Sequence, residues 1–370
     1  VLTYAEFNVS RCTVIFFLCS DPVVPRIFPY DMENTAQVVQ ESYNGGATWG
    51  APVNFPTVGD GGVPVGGLPS NFSVNPYVLA APNGQVYVAY ATGLSGPLTF
   101  CEASGCTGGT DTQDVVVANA TGGNGTWTVH YAATNEPFDM TSGSGGYGAS
   151  PFVGIHPQLA YDGVAGQLDL VYSSEAIGSF CTPSAVGPPT CQAGLAVDST
   201  VFQNSSNGGA TWSQPEEVGN LTDPYNGTLS PEYYPAIAVD PNGTVAVTSE
   251  LFNDSSCGAV SGTPYCGAYE QVYFNSTDNG ASWNGPVVLS AFPTLALDSA
   301  YMGEYETATT APSGAMFFAW TNSACPLASG GPVCRFANPA FVEPNTTVVI
   351  SSMFAGAGVS LTLHETNLTA

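Results

Sequence analysis

The sequence predicts an all-β chain in which one four-stranded unit is repeated along its whole length. Three observations lead to this prediction. A turn pattern ending in tryptophan recurs, a hairpin pattern alternates with it, and ten cysteines fall into local pairs at the same point of each repeat. We therefore expect a single domain over residues 1–370.

The turn pattern is clearest at residues 270–283, EQVYFNSTDNGASW. It predicts a strand, a tight turn, and Trp283 at the start of the next strand. The Asp or Asn side chain can accept hydrogen bonds from amides of its own turn, Gly supplies a positive φ, and Trp packs on apolar surface. The pattern recurs at Ser42, Asn44, Gly46, Thr48 and Trp49, and at Ser205, Asn207, Gly209, Thr211 and Trp212. An incomplete copy ends in Asn124, Gly125, Thr126 and Trp127.

The hairpin pattern has an entering strand, a Gly-containing turn and an alternating second strand. A repeat of about 70 to 80 residues fits one four-stranded blade of a β-propeller with long loops. The hairpins are at 76–90, 157–172, 235–248 and 306–320, and the five expected blades are 1–60, 61–140, 141–222, 223–292 and 293–370.

The cysteines follow the same repeat, because each predicted hairpin, and the opening strand at 2–9, is followed by a loop with two of them. We expect five local disulfides and an oxidising compartment. Zinc is the alternative, but no pair has C-x-x-C spacing or an adjacent His. The expected pairs are Cys12 with Cys19, Cys101 with Cys106, Cys181 with Cys191, Cys257 with Cys266, and Cys325 with Cys334.

The composition is poor in charge, at 9% charged residues with three cationic residues and a net charge of −26. Such a chain cannot build the basic surface that nucleic acid requires. Its apolar runs are too short to cross a bilayer. It begins at Val1 without Met, as expected after removal of a signal peptide.

N-linked glycans are expected to keep this weakly charged chain soluble. We therefore expect a secreted, glycosylated protein of the cell surface. The sequons begin at Asn8, Asn71, Asn119, Asn124, Asn204, Asn220, Asn226, Asn242, Asn253, Asn275, Asn345 and Asn367.

The Ser-x-Asp-x-Gly-x-Ser/Thr-Trp spacing of the turns resembles the Asp-box, or BNR repeat, of sialidases and related β-propellers. The run at 302–324, MGEYETATTAPSGAMFFAWTNSA, is similar to the Gly-Asp-Tyr…Gly…Trp-Thr stretch of sialidase-like proteins with this repeat. The resemblance implies a propeller whose boxes lie at the blade periphery, away from the active centre. At the level of the fold, this resemblance extends over most of the chain.

Catalytic sialidases of that family hold the substrate carboxylate with three arginines, and use a Tyr nucleophile assisted by Glu together with an Asp acid/base. Here Arg26 imitates the family's Arg-Ile-Pro motif in the wrong register, and the only other arginines are Arg11 and Arg335. We therefore expect no catalytic triad of arginines. The hairpins begin instead at Asn75-Pro76, His156-Pro157, Tyr234-Pro235 and Tyr305-Glu306.

Other candidate sites are few. His130, His156 and His364 are scattered and form no Ser-His-Asp order. The turns at Asp240 and Asp278 offer oxygen ligands for Ca²⁺, yet turn chemistry alone accounts for them, so we expect no metal or other cofactor. Acidic and aromatic residues beside the innermost strands form the candidate ligand site at one mouth of the propeller channel: Glu232, Tyr234, Glu304 and Tyr305.

Two functions are compatible with these observations. The first expectation is a non-catalytic structural protein that self-associates as a surface layer, adhesive or filament, in which segment 358–367 completes its own ring or the first blade of a neighbour. The alternative is a carbohydrate-binding or glycoside-hydrolysing propeller that uses the channel mouth, where paired carboxylates with Tyr could act on glycosides.

Overall fold

The computed structural model describes the chain in segments. They are residues 2–11, 30–55, 74–82, 84–95, 111–121, 127–138, 155–174, 179–182, 190–196, 199–219, 232–253, 268–289, 294–295, 306–311, 313–322 and 338–342. Every regular element in these segments is a β-strand. Within them, no helix is long and apolar enough to span a membrane.

The strands carry most of the described residues, and all their pairings are antiparallel. In chain order they are β1 Leu2–Arg11, β2 Tyr30–Gln40, β3 Val53–Phe55, β4 Val74–Ala80, β5 Gln85–Ser95, β6 Asp111–Thr121, β7 Thr128–Phe138, β8 Gln158–Asp162, β9 Gln167–Ser174, β10 Ser179–Thr182, β11 Thr190–Ala196, β12 Ser199–Ser205, β13 Glu216–Glu217, β14 Glu232–Val239, β15 Val245–Asn253, β16 Ala268–Ser276, β17 Asn284–Val288, β18 Thr294–Leu295, β19 Thr307–Thr310, β20 Met316–Asn322 and β21 Asn338–Val342.

The described strands form five sheets and one separate hairpin, β10–β11. Sheet 1 has the order β1-β2-β3 and sheet 2 the order β4-β5-β6-β7. Sheet 3 is β8-β9-β12-β13, sheet 4 is β14-β15-β16-β17 with β18 also on β16, and sheet 5 is β19-β20-β21. The chain is thus all-β, with antiparallel four-stranded sheets. Closure of these sheets into a ring is not part of the described structure.

The predicted hairpins are present in the structure. The first two strands of sheets 2, 3, 4 and 5 are β4–β5, β8–β9, β14–β15 and β19–β20, and each pair is joined by a short turn. The turns in sheets 2, 4 and 5 place Gly84, Gly243 and Gly314 at positive φ. Alternating apolar residues around a glycine turn are therefore sufficient to define these pairs.

Three of the tryptophan turns open with Ser, and we call these the serine turns. They share one hydrogen-bond pattern. The Ser Oγ accepts the amide of the Gly four residues later, and the Asn or Asp Oδ1 accepts the amide four residues beyond itself. The glycine amides donate from Gly46 to Ser42 (2.8 Å), Gly209 to Ser205 (2.9 Å) and Gly280 to Ser276 (2.9 Å), and the second set runs from Thr48 to Asn44 (2.8 Å), Thr211 to Asn207 (2.9 Å) and Ser282 to Asp278 (2.9 Å).

Consecutive sheets pack face to face. One apolar cluster joins sheets 2 and 3, a second joins sheets 3 and 4, and a third joins sheets 4 and 5. Val39 of β2 lies in a further cluster with Val88 and Val116 of sheet 2. The five sheets therefore stand in a row in which each covers a face of the next.

The tryptophans of the turn pattern occupy matching places in three of four cases. Trp127, Trp212 and Trp283 pack on the clusters shared with sheets 1, 2 and 3 respectively, and Trp283 meets Phe202 edge to face at 5.3 Å. The turn pattern predicts that Trp49 also packs on apolar surface, but it is 45% exposed. Sheet 1 is the first of the described row, so no earlier sheet covers its turn.

The two ends of the strands differ in character. The hairpin turns and the serine turns lie at one end, which we call the turn end. At the other end β9 and β15 finish and β12 and β16 begin. Many buried polar side chains gather there, and we call it the polar end.

Candidate functional site

Four glutamates are buried at the polar end. Glu232 opens β14, Glu250 lies near the end of β15, Glu270 lies near the start of β16, and Glu306 immediately precedes β19. Their exposed fractions are 0%, 5%, 6% and 7% respectively. Carboxyl groups are seldom buried to this extent without a partner or a proton, so these glutamates define the candidate site.

The carboxyl group of Glu306 lies between sheets 4 and 5. Gln271 Nε2 donates a hydrogen bond of 3.0 Å to Glu306 Oε2, and Gln158 Nε2 donates one of 2.6 Å to the Glu306 carbonyl oxygen. The carboxyl group is also hydrogen-bonded to Glu250, which stands opposite Gln271 in the register of β15 and β16.

The environment of Glu306 favours its protonated form. Burial raises the pKa of Glu306 well above its usual value, and the negative charge and hydrogen bond of Glu250 raise this pKa further, while Gln271 lowers it. Two carboxyl groups in contact cannot both ionise without strong repulsion. The Glu250–Glu306 pair therefore retains a proton at a pH where an exposed glutamate has lost it.

Glu232 occupies the opposite face of sheet 4, toward sheet 3. The Thr200 amide and the Ser249 hydroxyl each donate to Glu232 Oε2 at 3.4 Å, and Thr200 Oγ1 donates to Ser249 Oγ at 3.0 Å. Among the described residues, Glu232 Oε1 has no hydrogen-bond partner. Burial raises the pKa of Glu232 to about 8, against the lowering effect of the Thr200 hydrogen bonds.

A histidine and a tyrosine join the first strands of sheets 2, 3 and 4. The His156 ring meets Tyr234 edge to face with 4.7 Å between centroids, and Asn75 Nδ2 lies 3.2 Å from His156 Nε2. Asn75 Nδ2 also donates to the Ile155 carbonyl at 3.2 Å. These contacts bring the starts of the three strands together.

The backbone is irregular at two of these residues. Asn75 has φ of 54° and Tyr234 has φ of 50°, and each lies at a register shift between the first two strands of its sheet. Positive φ is rare for a bulky residue such as Tyr, and bulges often redirect a side chain beside a functional site. The same distortion therefore occurs at equivalent places in sheets 2 and 4, beside the buried glutamates.

Sheet 5 reaches the first strands of sheets 2 and 3. Burial raises the pKa of Tyr77 in β4, and a side-chain hydrogen bond with Thr307 in β19 lowers it. Together with the contact from Gln158 to Glu306, this bond brings β19 to β4 and β8. The first strands of sheets 2, 3, 4 and 5 thus lie close together beside Glu306.

The residues proposed from the sequence for the channel mouth fall into two groups. Glu232 and Tyr234 are buried at the polar end, with 0% and 3% of their surfaces exposed. Glu304 and Tyr305 lie outside the described residues. Sequence reasoning missed Glu250 and Glu270, for which the available signal was a charged residue inside an apolar strand.

The other candidate residues have the following positions. Cys181 and Cys191 are direct partners in the register of β10 and β11. Arg11 ends β1. The remaining candidates outside the described residues are Cys12, Cys19, Cys101, Cys106, Cys257, Cys266, Cys325, Cys334, Arg26, Arg335 and His364.

The sequons with described surroundings differ in accessibility. Asn242 lies in an exposed turn, while Asn119 Nδ2 donates to the Gly208 carbonyl of the next sheet at 3.0 Å. Asn275 Nδ2 donates to Tyr273 Oη at 3.3 Å. Asn204 is part of β12. Asn8 and Asn253 lie in strands, and the sequons outside the described residues are Asn71, Asn124, Asn220, Asn226, Asn345 and Asn367.

The two turns considered for Ca²⁺ use their carboxylates locally. Asp240 Oδ1 accepts the amides of Asn242 and Thr244, both at 2.8 Å. Asp278 accepts from Ser282 and Ser276, and these hydrogen bonds lower the pKa of the exposed Asp278. Turn chemistry therefore accounts for both carboxylates.

No protein-family model matches the chain, and no curated protein matches it in sequence. Solved structures similar to it include an α-L-arabinanase of Penicillium chrysogenum with bound arabinobiose, at 16% identity and a TM-score of 0.41 over 83% of this chain and 69% of that one. An ulvan lyase has 14% identity and a TM-score of 0.44 over 87% and 67%. A leech intramolecular trans-sialidase has 11% and 0.38 over 74% and 49%.

These comparisons correct the first functional expectation. The proteins named are a glycoside hydrolase, a polysaccharide lyase and a sialidase-type enzyme. They favour the carbohydrate-processing alternative over the expectation of a non-catalytic structural subunit, which is corrected accordingly. Segment 358–367 lies outside the described residues, so its role in assembly stays a prediction. At this identity the individual activities belong to those proteins.

Proposed function

We propose that the protein processes carbohydrate, and that it cleaves a glycosidic bond at the polar end with Glu306 as the proton donor. The observation that carries this proposal is the hydrogen-bonded pair Glu250 and Glu306, buried where four first strands converge. Glycoside cleavage needs a carboxylic acid that stays protonated near the working pH, and burial beside a second carboxyl group supplies one.

The proposed step begins with transfer of the Glu306 proton to the glycosidic oxygen. The bond between this oxygen and the anomeric carbon breaks, and the leaving sugar departs as an alcohol. Water then adds to the anomeric carbon, and the proton that it loses returns to the Glu306 carboxylate. The products are two hydroxyl-bearing sugars, and the carboxylic acid is regenerated.

The surrounding residues have distinct positioning roles in this proposal. Gln271 holds one carboxyl oxygen of Glu306 at 3.0 Å, and Gln158 holds its backbone carbonyl at 2.6 Å. Glu250 is a positioning residue that keeps the proton on the pair. Glu306 retains 7% exposure whereas Glu232 has none, so Glu306 is the better placed of the two to meet a substrate.

The proposal is tested by assaying purified protein against a panel of nitrophenyl glycosides and polysaccharides between pH 3 and pH 8. We expect cleavage of at least one substrate, with an activity that declines as the pH rises through the raised pKa of Glu306. Glu306→Gln should reduce kcat by about 100-fold or more, because an amide cannot donate this proton.

One variant serves as the control. Glu216→Gln removes an exposed carboxylate of β13, outside the candidate site. It should retain most of the activity. An inactive wild-type protein across the panel, or an active Glu306→Gln protein, would contradict the proposal. Glycan binding without cleavage would assign the site to a lectin.

We also propose the finer features that the sequence predicts. They are a single domain of five blades, membership of the Asp-box family, one disulfide per blade, secretion with N-glycans, and self-association. The shared hydrogen bonds of the serine turns support the Asp-box assignment. Intact mass before and after deglycosylation tests the glycans, and light scattering tests self-association.

A further inference from the structure

Two aspartates are buried together at the turn end of sheet 3. Asp162 ends β8 and Asp169 lies in β9, and the exposed fraction of each is 0%. Asp169 pairs in register with Ala160, which belongs to the cluster between sheets 3 and 4, and Asp162 stands two positions further along the same strand face. The two side chains are therefore diagonal neighbours on the face of sheet 3 that packs on sheet 4.

Hydrogen bonds satisfy only one oxygen of each carboxyl group. Asp162 Oδ1 accepts the amides of Val164 and Ala165, at 2.7 Å and 2.9 Å. Asp169 Oδ1 accepts a bond of 2.9 Å from Gln167 Nε2. Among the described residues, the buried atoms Asp162 Oδ2 and Asp169 Oδ2 have no hydrogen-bond partner. Buried carboxylate oxygens ordinarily have a partner, so these two oxygens point to a ligand between them.

Within the described residues, neither a shared proton nor a cationic side chain completes this pair. Glu250 and Glu306 are hydrogen-bonded to each other, whereas no hydrogen bond joins Asp162 Oδ2 to Asp169 Oδ2. Sheets 3 and 4 contain neither Lys nor Arg. Burial, and then the charge of Asp162, raise the pKa of Asp169 to about 8, against the lowering effect of the Gln167 hydrogen bond. Two negative charges at this place therefore need a cation from solution.

The hairpin itself does not require a charge at Asp169. In sheet 3 the residues that close the hairpin beside its turn are Asp162 and Gln167, and Asp169 follows two positions later. In the other sheets the closing residues are Ala81 with Gln85, Asp240 with Thr244, and Ala311 with Ala315, and the residues at the place of Asp169 are Tyr87, Ala246 and Phe317. All three are uncharged, so the buried carboxylate is peculiar to sheet 3 among these four hairpins.

We propose that Asp162 and Asp169 bind a Ca²⁺ ion between sheets 3 and 4. Ca²⁺ takes about six to eight oxygen ligands, which include carboxylate and side-chain amide oxygens. No group of three or more His, Cys, Asp or Glu in the described residues is placed to hold a metal ion, so neutral oxygens are needed beside the two carboxylates. Asn204, the direct register partner of Asp169 in β12, and Gln167 offer amide oxygens on the same face.

The surroundings favour Ca²⁺ over other cations. Oxygen ligands suit Ca²⁺ and Mg²⁺ better than they suit Zn²⁺ or Cu²⁺. Mg²⁺ usually keeps several waters, for which a place with two fully buried carboxyl groups is poorly suited. A Cβ added to Gly243, in the β14–β15 turn, would lie 3.6 Å from Asp162 Oδ2, so sheet 4 covers the site. The bound ion would thus link sheet 3 to sheet 4.

The test is equilibrium dialysis of the whole protein, first treated with EDTA, against radioactive Ca²⁺ at pH 7. We expect the wild type to bind one ion that Asp169→Asn does not. This variant keeps the shape and removes one charge, and it should weaken binding by about 100-fold, because loss of even an outer partner of a metal ligand costs about 10- to 100-fold. In calorimetry, Ca²⁺ at about 100 times its Kd should raise the unfolding temperature of the wild type by about 3 °C.

Three further variants sharpen the test. Asp162→Asn should lose the same ion, although its amide oxygen can still accept the turn amides. Asp240→Asn is the matched control, because Asp240 closes the equivalent hairpin in sheet 4 but its Oδ2 accepts a bond from Asn242 Nδ2 at 3.4 Å. It should keep the full response to Ca²⁺. Glu306→Gln should also bind the ion as the wild type does, so failure of the proposed function and failure of this site are distinguishable.

Three results would overturn the inference. The first is a wild-type protein that neither binds Ca²⁺ nor is stabilised by it. The second is equal binding of Ca²⁺ by the wild type, Asp162→Asn and Asp169→Asn, which would place the ion elsewhere on the chain. The third is equal stabilisation by Mg²⁺ and Ca²⁺ at the same concentration, which would contradict the identity of the ion.

Discussion

Glu250 and Glu306 are hydrogen-bonded to each other across the interface between sheets 4 and 5. A carboxyl group can donate such a bond only while it is protonated, so the contact depends on pH. Above the pKa of the pair the shared proton is lost. The hydrogen bond then breaks, and two buried negative charges face each other. The structure of this interface is therefore coupled to the proton concentration.

The first prediction concerns the variant Glu250→Gln. An amide can donate to Glu306 without a bound proton, and it removes the repulsion between two carboxylates. We expect Glu250→Gln to unfold at a higher temperature than wild type at pH 8 and at nearly the same temperature at pH 4. Differential scanning calorimetry at both pH values measures this. Glu216→Gln, at an exposed site, should show no such difference, and a destabilised Glu250→Gln at pH 8 would contradict the argument.

The second prediction concerns the pH dependence of stability. Burial raises the pKa of Glu232 to about 8, and burial followed by the nearby charge of Asp162 raises the pKa of Asp169 to about 8. In the unfolded chain such groups titrate near about 4. Between these values the folded protein binds more protons than the unfolded chain, so stability is fully present below about pH 4 and is lost as the pH rises toward about 8.

Each of these carboxyl groups should lower the free energy of unfolding by about 1.4 kcal/mol per pH unit within that window. Urea unfolding at intervals from pH 4 to pH 8 measures the slope. The variants Glu232→Gln and Asp169→Asn should each flatten it by one group's share. A slope that is unchanged in both variants would show that these two carboxyl groups ionise normally in the folded state.

The third prediction compares two glycines in equivalent turns. Gly280 has φ of +89°, and a Cβ added to it would lie 2.3 Å from Phe202 Cε1. Gly45 has φ of +68°, and a Cβ there would meet nothing within 4 Å. Gly45→Ala should cost about 1 to 2 kcal/mol for the left-handed backbone. Gly280→Ala should cost about 1 to 3 kcal/mol more, from overpacking against Phe202. Equal costs in urea titrations would refute the packing of this turn on sheet 3.

The fourth prediction compares two serines with the same hydrogen bonds and different burial. Ser205 Oγ accepts the amide of the buried Gly209, whereas Ser42 makes the same bond in an exposed turn. Ser205→Ala should cost about 1 to 3 kcal/mol, because the Gly209 amide loses its acceptor away from water. Ser42→Ala should cost less, since water replaces the hydroxyl. Chemical denaturation of both variants provides the comparison.

The fifth prediction concerns Cys181 and Cys191, which are register partners in β10 and β11. Direct cross-strand opposition brings two side chains on one face within about 4.5 to 5.5 Å at Cβ. We expect these two cysteines to be bonded to each other. Peptide mapping without reduction should recover one fragment containing both, and a fragment that joins either of them to another loop would exclude the local pairing.

Local chemistry explains which features could be predicted from the sequence. The hairpins and the serine turns depend on residues a few positions apart, such as Ser276 with Gly280, so their spacing defines them. The contact between Glu250 and Glu306 depends on how two sheets stack, which no short spacing encodes. Trp49 has the same local pattern as Trp283, yet its exposure is set by its position in the row of sheets.

The opposition of the turn end and the polar end gives the molecule a direction. A label or surface linkage at an exposed hairpin residue such as Val164 leaves the buried glutamates on the far side of the strands. Protein immobilised through that residue would present the carboxyl pair to the solution, and protein immobilised in random orientations would present it only in part. Measured activity on a surface should therefore depend on the point of attachment.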